Sequence, residues 1–151
     1  MTKTVDFKQV CLTALGVLEE KAKKEAEHKE IVAIVERLAD EIEDAANGRL
    51  KAFLLIPVNS VNFWVVLKNL ETGRQETLVE FTLDHGGYPG HISYLYKEDR
   101  DAGCRQSYGT AVLDKDDLVQ VLGDMLKAPA IAELIYSLMN EKRAVNGNDY
   151  N

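Results

Sequence analysis

Residues 6–47 contain no proline and only one interior glycine, Gly16, and they are rich in alanine, glutamate, lysine and leucine. Proline and glycine disfavour a helix interior most strongly, whereas the four abundant types favour it, so this stretch is predicted to be helical. Apolar residues recur at steps of three and four in its first part, at Phe7, Cys11, Ala14, Leu15 and Leu18. The same spacing returns in its last part, at Ile31, Ile34, Val35, Leu38 and Ile42. Each part therefore carries one apolar stripe.

The middle of this stretch, residues 19–30, consists mostly of charged residues and leaves two interpretations open. One is a single helix of about 40 residues, which would be about 60 Å long. The other is a helical hairpin with a break near residues 27–29, which would bury both stripes within one chain. Every residue of the charged segment tolerates helix, so the continuous helix is favoured. Asp6 is its expected N-cap, and Asn47 with Gly48 is its expected stop.

A continuous helix of that length would extend beyond its own domain. A chain of 151 residues has a radius of gyration of only about 15 Å when it is compact. The apolar stripe of the extended part would then have no covering surface in the same chain. Self-association through the N-terminal helix is therefore predicted, with a homo-oligomer as the expected state.

From Lys51 onward the pattern changes to the two-residue alternation that is typical of β-strands. Turn-forming residues separate the alternating segments, and the densest cluster of them, residues 86–90, predicts a hairpin. The connections are too short for crossovers, so neighbouring strands are predicted to be antiparallel. The predicted strands cover residues 52–58, 61–68, 76–84, 91–96 and, as a possible fifth, 104–113.

Two shorter helices are predicted after the strands. Asp114 is the expected N-cap of the first, with Asp117 as its capping-box partner, and Pro129 lies in the first turn of the second. The predicted fold class is α+β, with a long N-terminal helix, an antiparallel meander of four to five strands and two C-terminal helices. The expected organisation is an N-terminal helical arm at residues 1–50, an α+β domain at 51–144 and a flexible tail at 145–151.

Charge and cysteine content restrict the partners and the compartment. Lysine and arginine total 18 against 25 aspartates and glutamates, which gives a formal net charge of −7. Nucleic acids and anionic membranes are bound by basic surfaces, so neither is a predicted partner. Two cysteines are too few for a disulfide framework, and no segment has the length and apolarity of a signal peptide or a membrane span. The predicted location is the cytoplasm.

The residues that most often carry catalysis or bind metals form no known signature in this sequence. His85, His91 and Cys104 are possible metal ligands, but their spacing matches no zinc pattern. A nucleophilic cysteine also needs a positioned base, and no cysteine and histidine motif is present. Cys11 lies on an apolar stripe and is predicted to be in the core, and His28 is predicted to be a solvated surface residue. The protein is therefore not predicted to be an enzyme, and no metal or cofactor is expected.

One stretch of strands and loops combines aromatic and arginine residues. Aromatic faces stack on bases, and guanidinium groups bind phosphates, so such a cluster could line a pocket for a nucleotide-like molecule. The competing interpretation is that the tyrosines cover a sheet face while the arginines pair with local acids. The predicted ligand-binding residues are Phe81, Tyr94, Tyr96, Arg100, Arg105 and Tyr108.

In size, acidity and helix–sheet–helix layout, the chain resembles the small antagonist proteins that phages carry against bacterial defences, including CRISPR inhibitors and signal-nucleotide sponges. This resemblance implies an inhibitor of antiviral defence, and it carries over no functional residue. The leading hypothesis is a non-catalytic binding protein that self-associates through its N-terminal helix and inhibits or occupies a partner protein. The alternative is a binder or sponge for a nucleotide-like small molecule. The last turns of the opening helix are acidic, which is typical of a solvated face or of a surface that occupies a basic groove.

Overall fold

A computed structural model describes residues 4–58, 62–99 and 104–142, with the side chains of residues 96–99 and 104–106 left out of the description. It confirms the α+β class, with one long helix, a five-stranded antiparallel sheet and two C-terminal helices. The elements are α1 (Phe7–Ala45), β1 (Leu50–Leu55), β2 (Asn62–Asn69), β3 (Gln75–Asp84), β4 (Gly87–Asp99), β5 (Cys104–Val112), α2 (Lys115–Lys127) and α3 (Pro129–Asn140).

Helix α1 is continuous over 39 residues, so the single-helix interpretation is confirmed. Its start is capped as predicted, because the side chain of Asp6 accepts a hydrogen bond from the backbone N–H of Gln9 at 3.1 Å. Its end is also where the sequence predicts it. Asn47 and Gly48 both have positive φ angles, 53° and 76°, and this left-handed geometry stops the helix.

The sheet is a meander with the strand order β1-β2-β3-β4-β5, and every neighbouring pair is antiparallel. The hairpin between β3 and β4 is tighter than the sequence predicts. Only His85 and Gly86 form its turn, with φ angles of 51° and 84°, as in a type I′ turn. The glycine-rich residues that follow are already part of β4, since Gly87 pairs with Asp84 and Gly90 with Leu83. The β3–β4 tip, defined as residues 84–88, is therefore narrow.

The helices and one face of the sheet enclose a single core. On the sheet side, Phe63 and Phe81 stack with their ring centroids 4.6 Å apart and an interplanar angle of 5°. On the helix side, the second half of α1 contributes Ile31, Val35, Leu38, Ala39 and Ile42, all buried. Helices α2 and α3 add Leu118, Leu122, Met125, Ile131 and Leu138. The second half of α1 is thus part of the core, and only the first half extends as an arm.

The C-terminal helices begin as predicted. The Asp114 side chain accepts a hydrogen bond from the Asp117 N–H at 2.9 Å, and the Asp117 carboxylate accepts one from the Leu113 N–H at 3.1 Å. This arrangement resembles a capping box, with the return bond made to the residue before the N-cap. Pro129 is the first residue of α3, where its missing N–H costs nothing. Two aspartates at the start of α2 are therefore explained by helix capping.

A buried asparagine ties the end of α3 to the turn between β2 and β3. The Asn69 side-chain amide donates to the carbonyl oxygens of Leu138, at 2.7 Å, and Glu141, at 3.0 Å. Its side-chain oxygen accepts from the backbone N–H groups of Glu71, at 2.8 Å, and Thr72, at 2.9 Å. The bond to Leu138 is buried and the other three are partly buried, so this one side chain satisfies both a helix end and a turn.

Candidate functional site

The first half of α1 carries apolar side chains that nothing in the described chain covers. Residues 7–20 are all exposed, with Phe7 at 80% and Leu18 at 61% of full exposure. Cys11 is exposed too, so the prediction that it lies in the core is wrong. Cys11 lies on an apolar stripe, but it belongs to the part of α1 that extends beyond the domain, where the core does not cover it. We call the set of apolar residues along this side the N-terminal stripe: Phe7, Val10, Cys11, Ala14, Leu15 and Leu18.

The N-terminal stripe does not point in the direction of the core. Each residue turns an α-helix by 100°, so the centre of the stripe lies about 120° around the axis from the face that buries Ile31, Val35 and Ile42. A slight bend of α1 would therefore not bring the stripe onto the sheet. Exposed apolar patches that are contiguous and directed away from their own domain are typical of interaction surfaces.

The β3–β4 tip fixes α1 at the point where the helix leaves the domain. The Lys24 ammonium group lies 3.3 Å from the Asp84 carboxylate and 4.0 Å from that of Glu27, and it also donates to the Tyr88 carbonyl oxygen. One turn later, Nδ1 of His28 lies 3.1 Å from the carbonyl oxygen of Gly86. These contacts hold α1 against the β3–β4 tip, and the first half of α1 projects beyond them.

Close approach at this contact requires glycine in the hairpin. A Cβ atom added at Gly87 would lie 2.9 Å from Cδ of Lys24 and 3.1 Å from Cβ of Glu27. His28 is half-buried here, so the prediction of a fully solvated His28 is wrong. The spacing of Lys24, Glu27 and His28 on one helix face was visible in the sequence, but the hairpin that meets them is far away along the chain.

Two pKa values are shifted around this contact. Hydrogen bonds from Lys24 and then His85 lower the pKa of the Asp84 carboxyl group. This aspartate therefore keeps its charge, and its ion pair with Lys24, at lower pH than an unperturbed aspartate does, and the contribution is lost only as the pH falls through the lowered pKa. Burial, followed by the negative charges of Glu30 and Glu27, raises the pKa of the Tyr88 phenol to about 12. Tyr88 is neutral at physiological pH.

An open groove of about 920 Å³ lies between α1 and the β3–β4 tip. Its walls are mostly carbon surface, although most of the lining residues are polar or charged, because long lysine and glutamate side chains contribute their aliphatic stems. The charged residues along it have both signs. Its lining residues are Val17, Glu20, Lys21, Lys24, Glu25, His28, Lys29, Asp84, His85 and Gly86.

The predicted aromatic and arginine cluster is described only in part. Phe81 is fully buried against Phe63, and Tyr94 is buried beneath Tyr108, with their ring centroids 5.3 Å apart. Tyr108 is 43% exposed and is the one described ring of the cluster that reaches the surface. Arg100 lies outside the described residues, and the side chains of Tyr96 and Arg105 do as well. A nucleotide pocket at these residues stays a prediction.

Comparisons with other proteins and a search for metal ligands give no further site. No protein-family model, curated protein or solved structure matches the chain. Among the residues whose side chains the structure describes, no three histidines, cysteines or acidic residues are grouped so as to hold a metal ion. Among the helices described, none has both the length and the apolarity needed to cross a membrane. The N-terminal stripe is therefore the candidate functional surface.

Proposed function

We propose that this chain is a non-catalytic binding protein that self-associates through the N-terminal stripe. The observation that carries the proposal is the row of exposed apolar side chains on a helix whose other half is fixed in the core. Burial of one large apolar side chain stabilises a complex by about 1.5–3 kcal/mol. Because α1 is already anchored, association need not fold it, and less of this gain is lost to ordering.

A second copy of the chain is the occupant that fits this surface. The stripe is apolar, and one of its flanks carries the charged residues Lys8 and Glu19, as in helices that pair with one another. An isologous dimer would cover both stripes at once, since each copy offers the same patch to the other. The overlap is short, so we expect a dissociation constant in the micromolar range.

Sedimentation with matched glutamate variants tests self-association. We expect wild-type protein to be dimeric at tens of micromolar and Leu18→Glu to raise the dissociation constant about 100-fold or more, because each copy would lose the burial of a leucine side chain in the seam. Leu12→Glu is the matched control. Leu12 is on the same helix and is 50% exposed, but it lies about 130° around the axis from the stripe, so the same change should alter the constant less than about threefold. A wild-type protein that stays monomeric at 100 µM would overturn the proposal.

We further propose that the dimer acts in the cytoplasm by occupying or inhibiting a partner protein with a basic surface. The support is the net charge of −7 and the exposed acidic side chains in the last turns of α1, which are Glu36, Asp40, Glu41 and Asp44. Complementary charge steers association and suppresses wrong partners. Such a partner would leave all of the N-terminal stripe available for the second copy.

Chromatography of a cytoplasmic lysate over the immobilised protein tests this second half. A basic protein should be retained by the immobilised wild-type protein. The amount retained should be at least tenfold lower on the double variant Glu36→Lys, Glu41→Lys, which leaves the N-terminal stripe intact. Retention that is the same for wild type and the double variant would contradict a role for the acidic face. Recovery of no protein at all would contradict the partner proposal and leave self-association standing.

A further inference from the structure

We infer that the two copies of α1 pair antiparallel, with the two-fold axis between Leu12 and Thr13. This inference rests on the proposed self-association and adds its orientation and register. In that register, a residue of one helix is level with a residue of the other when their two residue numbers add up to 25. Phe7 is level with the partner's Leu18, Val10 with the partner's Leu15, and Cys11 with the partner's Ala14.

The sizes of the side chains match in this register. The large residues Phe7 and Leu18 meet at both ends of the overlap, and Val10 and Leu15 lie on opposite flanks of the stripe, where they cover its two sides. The small residues Cys11 and Ala14 meet near the axis, where they let the two helices approach closely. The spacing of Phe7, Cys11, Ala14 and Leu18, in steps of four, three and four, is the spacing of a coiled-coil seam.

The flanking charges also match. Lys8 and Glu19 lie on the same side of the stripe, each about 100° from its centre. A two-fold axis perpendicular to the helices brings equal flanks together, so Glu19 of one copy lies beside the partner's Lys8, and the reverse holds on the other copy. The partner's Glu19 is level with the N-cap Asp6 but lies on the opposite flank of the stripe, so it would place a second carboxylate near the positive N-terminal end of α1.

A parallel pair would meet unfavourable contacts. Beyond Leu18, the side of the helix that continues the stripe is occupied by Lys21, Glu25 and Lys29. Parallel helices in register would set each of these against the same residue of the partner, and like charges repel. The antiparallel overlap ends level with Glu19, so the charged continuation of the stripe stays outside it.

The position of the β3–β4 tip agrees with the antiparallel register. Glu19 precedes Lys24, where the tip first contacts α1, by five residues, or about 7.5 Å along the axis. The partner helix therefore stops before it reaches the tip. The two Lys24 residues would be about 35 Å apart along the axis, which places the two domains at opposite ends of the helix pair. The dimer would be an elongated molecule with its binding surfaces facing outward at both ends.

Disulfide trapping with single-cysteine proteins tests the orientation. One protein keeps Cys11 and carries Cys104→Ser, and the second carries Cys11→Ala, Ala14→Cys and Cys104→Ser, with a tag of different mass. In the antiparallel dimer, Cys11 and the introduced cysteine of the partner are level, so mild oxidation of the mixture should yield mainly the mixed disulfide. Two copies of Cys11 would be offset by about 4.5 Å along the axis, which together with the lateral separation exceeds the Cβ distances of about 3.5–4.5 Å found in disulfides, so this pair should form less product.

Phe7→Cys, combined with Cys11→Ala and Cys104→Ser, detects the parallel arrangement. In the antiparallel dimer its two copies would be about 16 Å apart along the axis and should form at least tenfold less disulfide than the mixed pair does. Efficient linkage of Phe7→Cys to itself, together with little mixed product, would overturn the antiparallel inference while sedimentation still showed a dimer. A monomeric wild-type protein in sedimentation would overturn the proposed function itself, so the two failures are distinguishable.

Discussion

Asn69→Leu is expected to lower the free energy of unfolding by about 3 kcal/mol, because the change leaves one buried and three partly buried backbone groups without their hydrogen-bond partner. Asn69 is 2% exposed and makes four hydrogen bonds to the end of α3 and to the β2–β3 turn. Leucine has the same branching and the same number of side-chain heavy atoms but can satisfy none of these groups. Urea denaturation should show a lower midpoint with an unchanged slope, since the same surface is exposed on unfolding.

Asn140→Leu is the matched control for this loss. Asn140 lies at the end of the same helix, and its side chain also makes two hydrogen bonds, to Arg49 and to the Tyr136 carbonyl oxygen. It is exposed, however, so water can replace both bonds and the expected loss is below about 0.5 kcal/mol. Equal effects of the two substitutions would show that burial of Asn69 does not stabilise the junction between α3 and the sheet.

Phe81→Ala is expected to destabilise the protein by about 4 kcal/mol, since the change removes a fully buried ring and leaves a cavity. The stacked contact with Phe63 at 4.6 Å is lost with it. For a chain of this length the midpoint of thermal unfolding should fall by roughly 10 °C. Differential scanning calorimetry measures both the midpoint and the enthalpy.

Tyr108→Ala is the matched control within the same predicted cluster. Its ring is 43% exposed and lies at the edge of the sheet in β5, so the expected loss is below about 1 kcal/mol. If Tyr108→Ala lowered the free energy of unfolding as much as Phe81→Ala does, the rings of Tyr108 and Phe81 would belong to one buried unit. A nucleotide that raised the unfolding midpoint of wild type but not of Tyr108→Ala would favour the small-molecule alternative over the proposed function.

Predictions from local signals agree closely with the structure. The single long helix follows from the helix-forming residues between its two stripes, and Asp6, Asn47 and Gly48 mark its ends because capping depends on residues three or four positions apart. The strands follow from alternation, and their antiparallel order follows from the short connections. The β3–β4 turn is shorter than predicted, because a β-hairpin needs only two residues with positive φ, and the other glycines in that segment pair within the sheet.

Predictions of burial agree less well with the structure, because burial depends on contacts between residues that are far apart in the sequence. His28 has a charged sequence neighbourhood, yet the β3–β4 tip, about 60 residues later, covers it. Cys11 and Val35 lie on stripes of the same kind, but one is exposed and the other fully buried. No local pattern could separate them, since burial depends on where the sheet ends relative to the helix.

The sequence by itself determined which segments form helices and strands, where α1 starts and stops, and that part of α1 must extend beyond the domain. These properties arise from backbone preferences and side-chain periodicity within a few residues. Only the tertiary structure decided which stripe is covered, because the Lys24 contact with the β3–β4 tip sets where α1 leaves the sheet. It also decided that the N-terminal stripe points about 120° away from the core, since that direction depends on how the anchored half of the helix is seated.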